Sequence, residues 1–95
     1  MACSVQKLPA PGEQQVKQAA KRFPQVTLAE LTKGKMLFEQ NCNKCHKYHK
    51  PEEHTELEWM SIIPVMSSRA KLDQVSQSYI LKYAVAFAKQ PDGNP

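Results

Sequence analysis

The chain of 95 residues lacks a long hydrophobic run, which sets a first limit on the class of protein. No stretch approaches the roughly 18 consecutive apolar residues that a membrane-spanning helix requires. The chain also lacks a block of basic charge, because its 13 lysines and arginines are spread along the sequence beside 9 acidic residues. A net charge of +4 distributed in this way is typical of a mixed, solvated surface, and we do not expect nucleic-acid binding.

The sequence also lacks any segment with the pattern of a β-strand, any internal repeat and any low-complexity block. Its length corresponds to one domain with a modest core, and domains of this size often depend on a metal, disulfides or a cofactor. The apolar periodicity predicts an all-α fold. Helices are expected at 13–22, 28–40 and 56–63 and from about 73 to about 89, after an arm over the first twelve residues.

Cysteine is scarce, and its 3 occurrences are an odd number, so the chain cannot pair all of them internally. Two of them form the motif C-x-x-C-H with Cys42, Cys45 and His46, which is the attachment motif of haem c. Thiols at this spacing can each add across one of the two vinyl groups of a haem, and the adjoining imidazole can bind the iron. The motif therefore predicts one covalent haem with His46 as an axial ligand.

Two other interpretations of the motif remain open. Cys42 and Cys45 with two of the nearby histidines could bind zinc, although His46, His49 and His54 crowd against the second cysteine and make a tetrahedron awkward to close. A redox C-x-x-C pair would need a βαβ context, which the sequence does not offer. We expect the histidines after the motif to be exposed loop imidazoles, and a zinc module would be colourless.

The third cysteine, Cys3, lies in the short stretch Ala2-Cys3-Ser4. Haem attachment to this motif occurs outside the cytoplasm in bacteria and needs an export signal, and no apolar export segment precedes Cys3. The stretch is similar to the junction of a bacterial lipoprotein signal, which predicts that Cys3 is the lipidated first residue of a membrane-anchored mature protein. A free thiol and an intermolecular disulfide are the alternatives.

Gly34 interrupts the apolar stripe of the helix predicted at 28–40, which begins with a capping box formed by Thr27 and Glu30. A glycine inside a helix costs about 1 kcal/mol relative to alanine, so a packing reason is expected for it. We expect the last helix, capped by Asp73, to approach Gly34 closely.

The methionines are the candidates for a sixth ligand of the iron. A capping box at Thr55 begins the next helix, which Pro64 is expected to end or kink. Met66 follows directly, where a rigid backbone could aim its thioether at the iron from the side opposite the histidine. Met60 and Met36 compete for this role, and filling the core is the commonest role of a methionine.

The order helix, C-x-x-C-H, loop, helix, methionine, helix resembles the class I, mitochondrial-type cytochrome c family, over about residues 27–89. The likeness is closest to small bacterial single-haem members with a Gly-x-x-Leu-Phe stretch before the motif, here residues 34–38. They also carry a tryptophan, a methionine seven residues later, and a terminal helix that starts with leucine and contains tyrosine. In this chain these residues are Trp59, Met66, Leu72 and Tyr83.

The resemblance implies a cytochrome c-like fold of three core helices around one haem, plus a short N-terminal helix. The first and last core helices would cross near Gly34 and Tyr83. The chain would divide into a tether and short helix at 1–26, a cytochrome domain at 27–90 and a tail at 91–95. The residues expected to hold the haem are Cys42, Cys45, His46, Trp59 and Met66, with His46 and Met66 on the iron.

The resemblance also implies a function, which is one-electron transfer with redox partner proteins, without enzyme activity. This would take place in the bacterial periplasm or from a lipid anchor that faces it. The alternative is a haem sensor or a peroxidase-like protein with an open or displaced sixth ligand. Such a protein would need a distal acid–base group in place of Met66, and His54 is the only candidate.

Overall fold

The computed structural model of the protein describes residues 9–40 and 51–89, and within these ranges the predicted all-α fold is confirmed. The described chain contains no β-strand, and its one bridge pairs Thr55 with Lys89. No helix in these two ranges is long and apolar enough to cross a membrane. The elements are α1 (Glu13–Ala20), α2 (Leu28–Gln40), a 3-10 helix (Pro51–Glu53), α3 (Glu56–Ala70) and α4 (Gln74–Phe87).

Side-chain caps begin α2, α3 and α4 at the predicted residues. The Thr27 N–H donates to Glu30 Oε1 at 3.1 Å, and the Glu30 N–H donates to Thr27 Oγ1 at 3.2 Å, so each residue satisfies a backbone donor of the other. The same reciprocal arrangement begins α3 at Thr55. At the start of α4 the Asp73 carboxylate accepts the Ser76 N–H at 2.7 Å, and this bond lowers the pKa of Asp73 below its ordinary value.

Helices α2 and α4 meet at Gly34, which has the packing reason predicted for it. A Cβ atom at this position would lie 2.2 Å from the carbonyl oxygen of Tyr79 and 2.8 Å from the Cβ of Tyr83. No side chain fits in that space. The close approach also brings Phe38, one turn further along α2, against Tyr83 with ring centroids 5.7 Å apart.

The core consists of two apolar clusters that α4 joins. The main cluster lies between α2, α3 and α4, and its buried members are Phe38, Trp59, Ile63, Ile80, Tyr83, Ala84 and Ala88. A smaller cluster packs α1 and the turn after it against α2 and α4, with Ala19, Val26, Leu31 and Ala86 buried. Phe87 packs against both clusters, so the two share one continuous interior.

The prediction that α3 ends at 63 is wrong, because α3 continues through Pro64 to Ala70. A proline costs a helix interior about 3 kcal/mol through its missing N–H and its ring. Pro64 is exposed, however, while Ile63 before it and Ala70 after it are buried, so packing along the inner face carries the helix past the proline. Met66 therefore lies inside a helix and not after a break in the backbone.

The arm before α1 is held on the body at Pro9, whose carbonyl oxygen accepts the hydroxyl of Tyr83 at 2.8 Å. α1 itself is shorter than predicted and ends at Ala20. Beyond it, Arg22 forms an ion pair with Glu56 at the start of α3. The N-terminal part of the described chain is thus tied to α3 and α4 by polar contacts as well as by the smaller cluster.

Candidate functional site

The haem-attachment motif lies outside the described residues, so the predicted roles of Cys42, Cys45 and His46 stay predictions. His49 lies outside them too. The structure does describe the chain on both sides of the motif, up to Gln40 at the end of α2 and from Pro51 at the start of the 3-10 helix. The site can therefore be characterised by the elements that bound the motif.

Trp59 is the residue that both flanks of the motif contact. Its side chain is 0% exposed, and its indole Nε1–H donates to the carbonyl oxygen of Pro51 at 2.6 Å. Phe38, in the last turns of α2, meets the same indole edge-on, with ring centroids 5.9 Å apart and an interplanar angle of 76°. From the sequence, Pro51 is expected to shape the loop after the motif and to offer a nearby carbonyl to the His46 ring N–H, but it is not among the residues expected to hold the haem. Its bond to Trp59 was not predicted.

Met66 shares the inner face of α3 with Trp59 by helix register. It follows Trp59 by seven residues, which is close to two turns of about 3.6 residues. Ile63 and Ala70 lie one turn before and after it on the same stripe and are buried, and Met66 is partly buried.

The two competing methionines occupy different positions. Met60 is also partly buried, but it lies about 100° around the helix from Trp59. Met36, on α2, is 42% exposed. Helix register thus distinguishes Met66 from Met60, and exposure distinguishes it from Met36. The spacing in the sequence did not make this distinction.

His54 is not the exposed loop imidazole expected from the sequence. Its ring meets the indole of Trp59 edge-on at a centroid distance of 4.9 Å, and its Nδ1 lies 3.4 Å from Glu58 Oε1. Its carbonyl oxygen accepts the Lys89 N–H at 3.0 Å. Met66 lies ten residues beyond Glu56, the first residue of α3, and this distance is about 15 Å along the helix axis. The histidine therefore lies before the start of α3, and the methionine lies in the second half of the helix.

The start of α3 carries a carboxylate that stays ionised at neutral pH. The Thr55 N–H is the main cause that lowers the pKa of Glu58 below its ordinary value. Desolvation by burial opposes it, and His54 and Lys89 lower the pKa further by smaller amounts. The Glu58 N–H donates in turn to Thr55 Oγ1 at 3.2 Å. This capping box fixes the first turn of α3, from which Trp59 projects.

A zinc site is not found in the part of the chain that the structure describes. Among residues 9–40 and 51–89, no group of three or more His, Cys, Asp or Glu side chains could hold a metal ion. Of the five residues considered for zinc, only His54 is described, and it contacts Glu58 and Trp59. The zinc interpretation stays untested.

The main cluster is bordered by apolar side chains that the described protein covers only in part. They come from α2, α3, α4 and the turn between the last two helices, and they are Leu37, Ile62, Leu72, Leu81 and Phe87. One of them, Leu37, lies in the part of α2 that leads to the motif, and another, Ile62, lies one turn before Met66. Apolar side chains that the described residues cover only in part are compatible with contact to a haem.

Comparison of the chain with protein-family models, with curated proteins and with solved structures finds no match. The motif, the helix register and the packing around Trp59 are therefore the observations from which a function is proposed.

Proposed function

We propose that the protein is a single-haem c-type cytochrome that carries one electron at a time between redox partner proteins and is not an enzyme. The observation that carries the proposal is the C-x-x-C-H motif in a segment whose two flanks contact the same buried indole. Phe38 before the motif and Pro51 after it both touch Trp59. The described chain on each side of the motif thus contacts α3 at Trp59, and Met66 lies on the same helix face by register.

The cofactor in this proposal is one haem c, which supplies an iron that cycles between the ferric and ferrous states. Cys42 and Cys45 would hold it covalently, and His46 and Met66 would be the axial ligands. Trp59 would form part of the apolar wall. Thioether ligation opposite a histidine stabilises ferrous iron, which is suited to electron transfer and leaves no open site for catalysis.

A cytochrome c-like arrangement of the helices is part of the proposal. The contact between α2 and α4 at Gly34 and Tyr83 supports it, because the resemblance predicts that the first and last core helices cross at these residues. The three helices that meet in the main cluster are those that the resemblance assigns to the core.

The proposed location is the bacterial periplasm, either free or on a lipid attached to Cys3. Haem attachment to the motif outside the cytoplasm supports the first part, and the Ala2-Cys3-Ser4 stretch supports the second. We propose no nucleic-acid partner, because the basic residues are dispersed. Mass spectrometry of the native mature protein tests the lipid.

Visible absorption spectra of the purified protein and two variants test the function. We expect c-type haem bands and, in the ferric form, a weak band at about 695 nm that reports a methionine on the iron. Met66→Ala should abolish this weak band. Met60→Ala is the matched control on the same helix and should retain it.

Each other outcome has a definite meaning. A colourless protein rules out the cytochrome and favours zinc. Haem bands without the methionine band favour the sensor or peroxidase-like alternative, or two histidine ligands. Loss of the band in Met60→Ala but not in Met66→Ala would move the sixth ligand to Met60. We do not prefer the alternative, because its only distal acid–base candidate, His54, lies before the start of α3, whereas Met66 lies in the second half of the helix.

A further inference from the structure

We propose that Trp59 is a positioning residue, whose indole hydrogen bond to Pro51 fixes the start of the 3-10 helix against α3 and so keeps Met66 on the iron. The inference rests on the proposed function and deepens it. Trp59 was predicted as a haem-contacting residue only. The structure adds a specific polar bond whose two ends lie on the two parts of the chain that must be aligned.

The hydrogen bond is short and shielded from water. The distance from Trp59 Nε1 to the Pro51 oxygen is 2.6 Å, and both residues are fully buried. An indole has one N–H donor and no acceptor, so this bond uses its whole hydrogen-bonding capacity. Trp59 would therefore contact a haem through its ring and not as a hydrogen-bond donor to the propionates.

The orientation of the indole is set from several sides. Phe38 meets it edge-on from α2 at 5.9 Å, and His54 meets it edge-on from the residue before the cap of α3 at 4.9 Å. The capping box of Thr55 and Glu58 fixes the helix turn that bears it. With so many constraints on the ring, the Pro51 carbonyl has a fixed position relative to α3.

The link reaches Met66 through the helix. Trp59 and Met66 are seven residues apart, about 10.5 Å along the axis on one face, and α3 is continuous between them. His46 precedes Pro51 by five residues, so Pro51 is the nearest described anchor of the histidine side. Loss of the indole N–H removes the polar bond between this anchor and α3. We expect Met66 to be held less firmly on the iron as a result.

The experiment measures how readily a small external ligand displaces Met66. Imidazole is titrated into the ferric protein, and the fraction bound is followed by loss of the band at about 695 nm. In Trp59→Phe we expect imidazole affinity to rise about tenfold, because easier loss of Met66 leaves a larger binding-competent fraction. Trp59→Phe also removes ring area.

A second replacement of Trp59 therefore isolates the N–H. Trp59 is the only tryptophan, so benzothienylalanine, which has the same ring shape without the N–H, can be incorporated at this position alone. We expect it to give the same rise as Trp59→Phe.

The matched control is Tyr83→Phe. It removes another buried aromatic donor that bonds to a proline carbonyl, because the Tyr83 hydroxyl donates to Pro9 of the N-terminal arm at 2.8 Å. We expect it to lower the stability to denaturant as the Trp59 replacements do, and to leave imidazole affinity within twofold of wild type. A merely structural role of Trp59 would predict equal effects at the two positions.

A readout without imidazole completes the test. The indole N–H proton of the wild-type protein should exchange slowly with water, because it is buried and bonded. Rapid exchange overturns the inference, as does unchanged imidazole affinity in the benzothienylalanine protein or an equal rise in Tyr83→Phe. These results leave the proposed function intact when the wild type has its haem and methionine bands. A wild type without those bands overturns both.

Discussion

At the scale of single residues, Gly34 is a position where the structure leaves no room for a side chain. Its helix position is unfavourable by about 1 kcal/mol relative to alanine, but an added Cβ would lie 2.2 Å from the Tyr79 carbonyl oxygen. Real Cβ atoms do not approach backbone this closely. The contact with α4 therefore decides the residue, and the helix propensity does not.

Gly34→Ala should destabilise the protein by about 1–3 kcal/mol, since α2 and α4 must separate to admit the methyl group. Chemical denaturation measures the change. Gly12→Ala is the matched control, because a Cβ there meets only the Gln15 side chain, at an ordinary 3.5 Å. It should cost at most about 1 kcal/mol as a changed N-cap. A Gly34→Ala protein as stable as the wild type would contradict the close approach of the two helices.

At the scale of elements, α3 is the helix on which the proposed site depends. It begins with a capping box at Thr55 and ends where Lys71 adopts a left-handed backbone with φ of 59°. Between these ends it carries Trp59, Met66 and an exposed proline. The helix keeps the indole and the thioether two turns apart on one face, which a loop would not do as reliably.

Pro64→Ala should stabilise the protein by about 1–3 kcal/mol, because alanine restores a helix N–H donor and removes the ring from the preceding turn. Pro64 is exposed, so no packing is lost with the ring. Val65→Ala, at the neighbouring position and 55% exposed, serves as the control and should change stability by no more than about 0.5 kcal/mol. Midpoints of urea unfolding give both values. A less stable Pro64→Ala protein would show that α3 needs its proline.

At the scale of the whole molecule, the two apolar clusters are joined through α4, so we expect them to unfold as one cooperative unit. Leu31 belongs to the smaller cluster and is 0% exposed, whereas Trp59 belongs to the main one. A mutation that destabilises the smaller cluster should therefore also destabilise the packing around Trp59. This coupling is a property of the complete fold and not of any single helix.

Leu31→Ala should lower the free energy of unfolding by about 2–5 kcal/mol, the usual cost of a large-to-small change in a core. Trp59 fluorescence and far-UV circular dichroism should report the same midpoint, since the clusters unfold together. Leu28→Ala on the same helix is the control, because Leu28 is 44% exposed and its truncation leaves no cavity in the core. Two separate midpoints in Leu31→Ala would mean that the clusters are independent.

Features that depend on neighbouring residues could be predicted from the sequence. Thr27, Thr55 and Asp73 cap their helices as expected, because a capping bond needs only a side chain and a backbone N–H three residues away. The close approach at Gly34 was also foreseen, since an unfavourable glycine in a helix calls for a packing partner.

Features set by tertiary packing could not be predicted in this way. Local propensity would end α3 at Pro64, but burial of Ile63 and Ala70 outweighs it. The bond from Trp59 to Pro51 and the contact of His54 with Trp59 join residues whose proximity no spacing rule specifies. Attachment of haem at the motif stays a prediction, because the motif lies outside the described residues.

The bond between Tyr83 and Pro9 fixes the N-terminal arm to the body of the protein at Pro9, which has a consequence for the proposed lipid anchor. Pro9 lies six positions after Cys3, and an extended chain spans at most about 3.6 Å per residue, so the two residues can be about 20 Å apart at most. If Cys3 carries the proposed lipid, the chain between Cys3 and Pro9 would keep the body of the protein near the membrane. Its greatest length is shorter than the protein's own longest dimension of 32 Å. The proposed cytochrome would then meet its partners by lateral diffusion next to the bilayer, and soluble carriers would have to come to it.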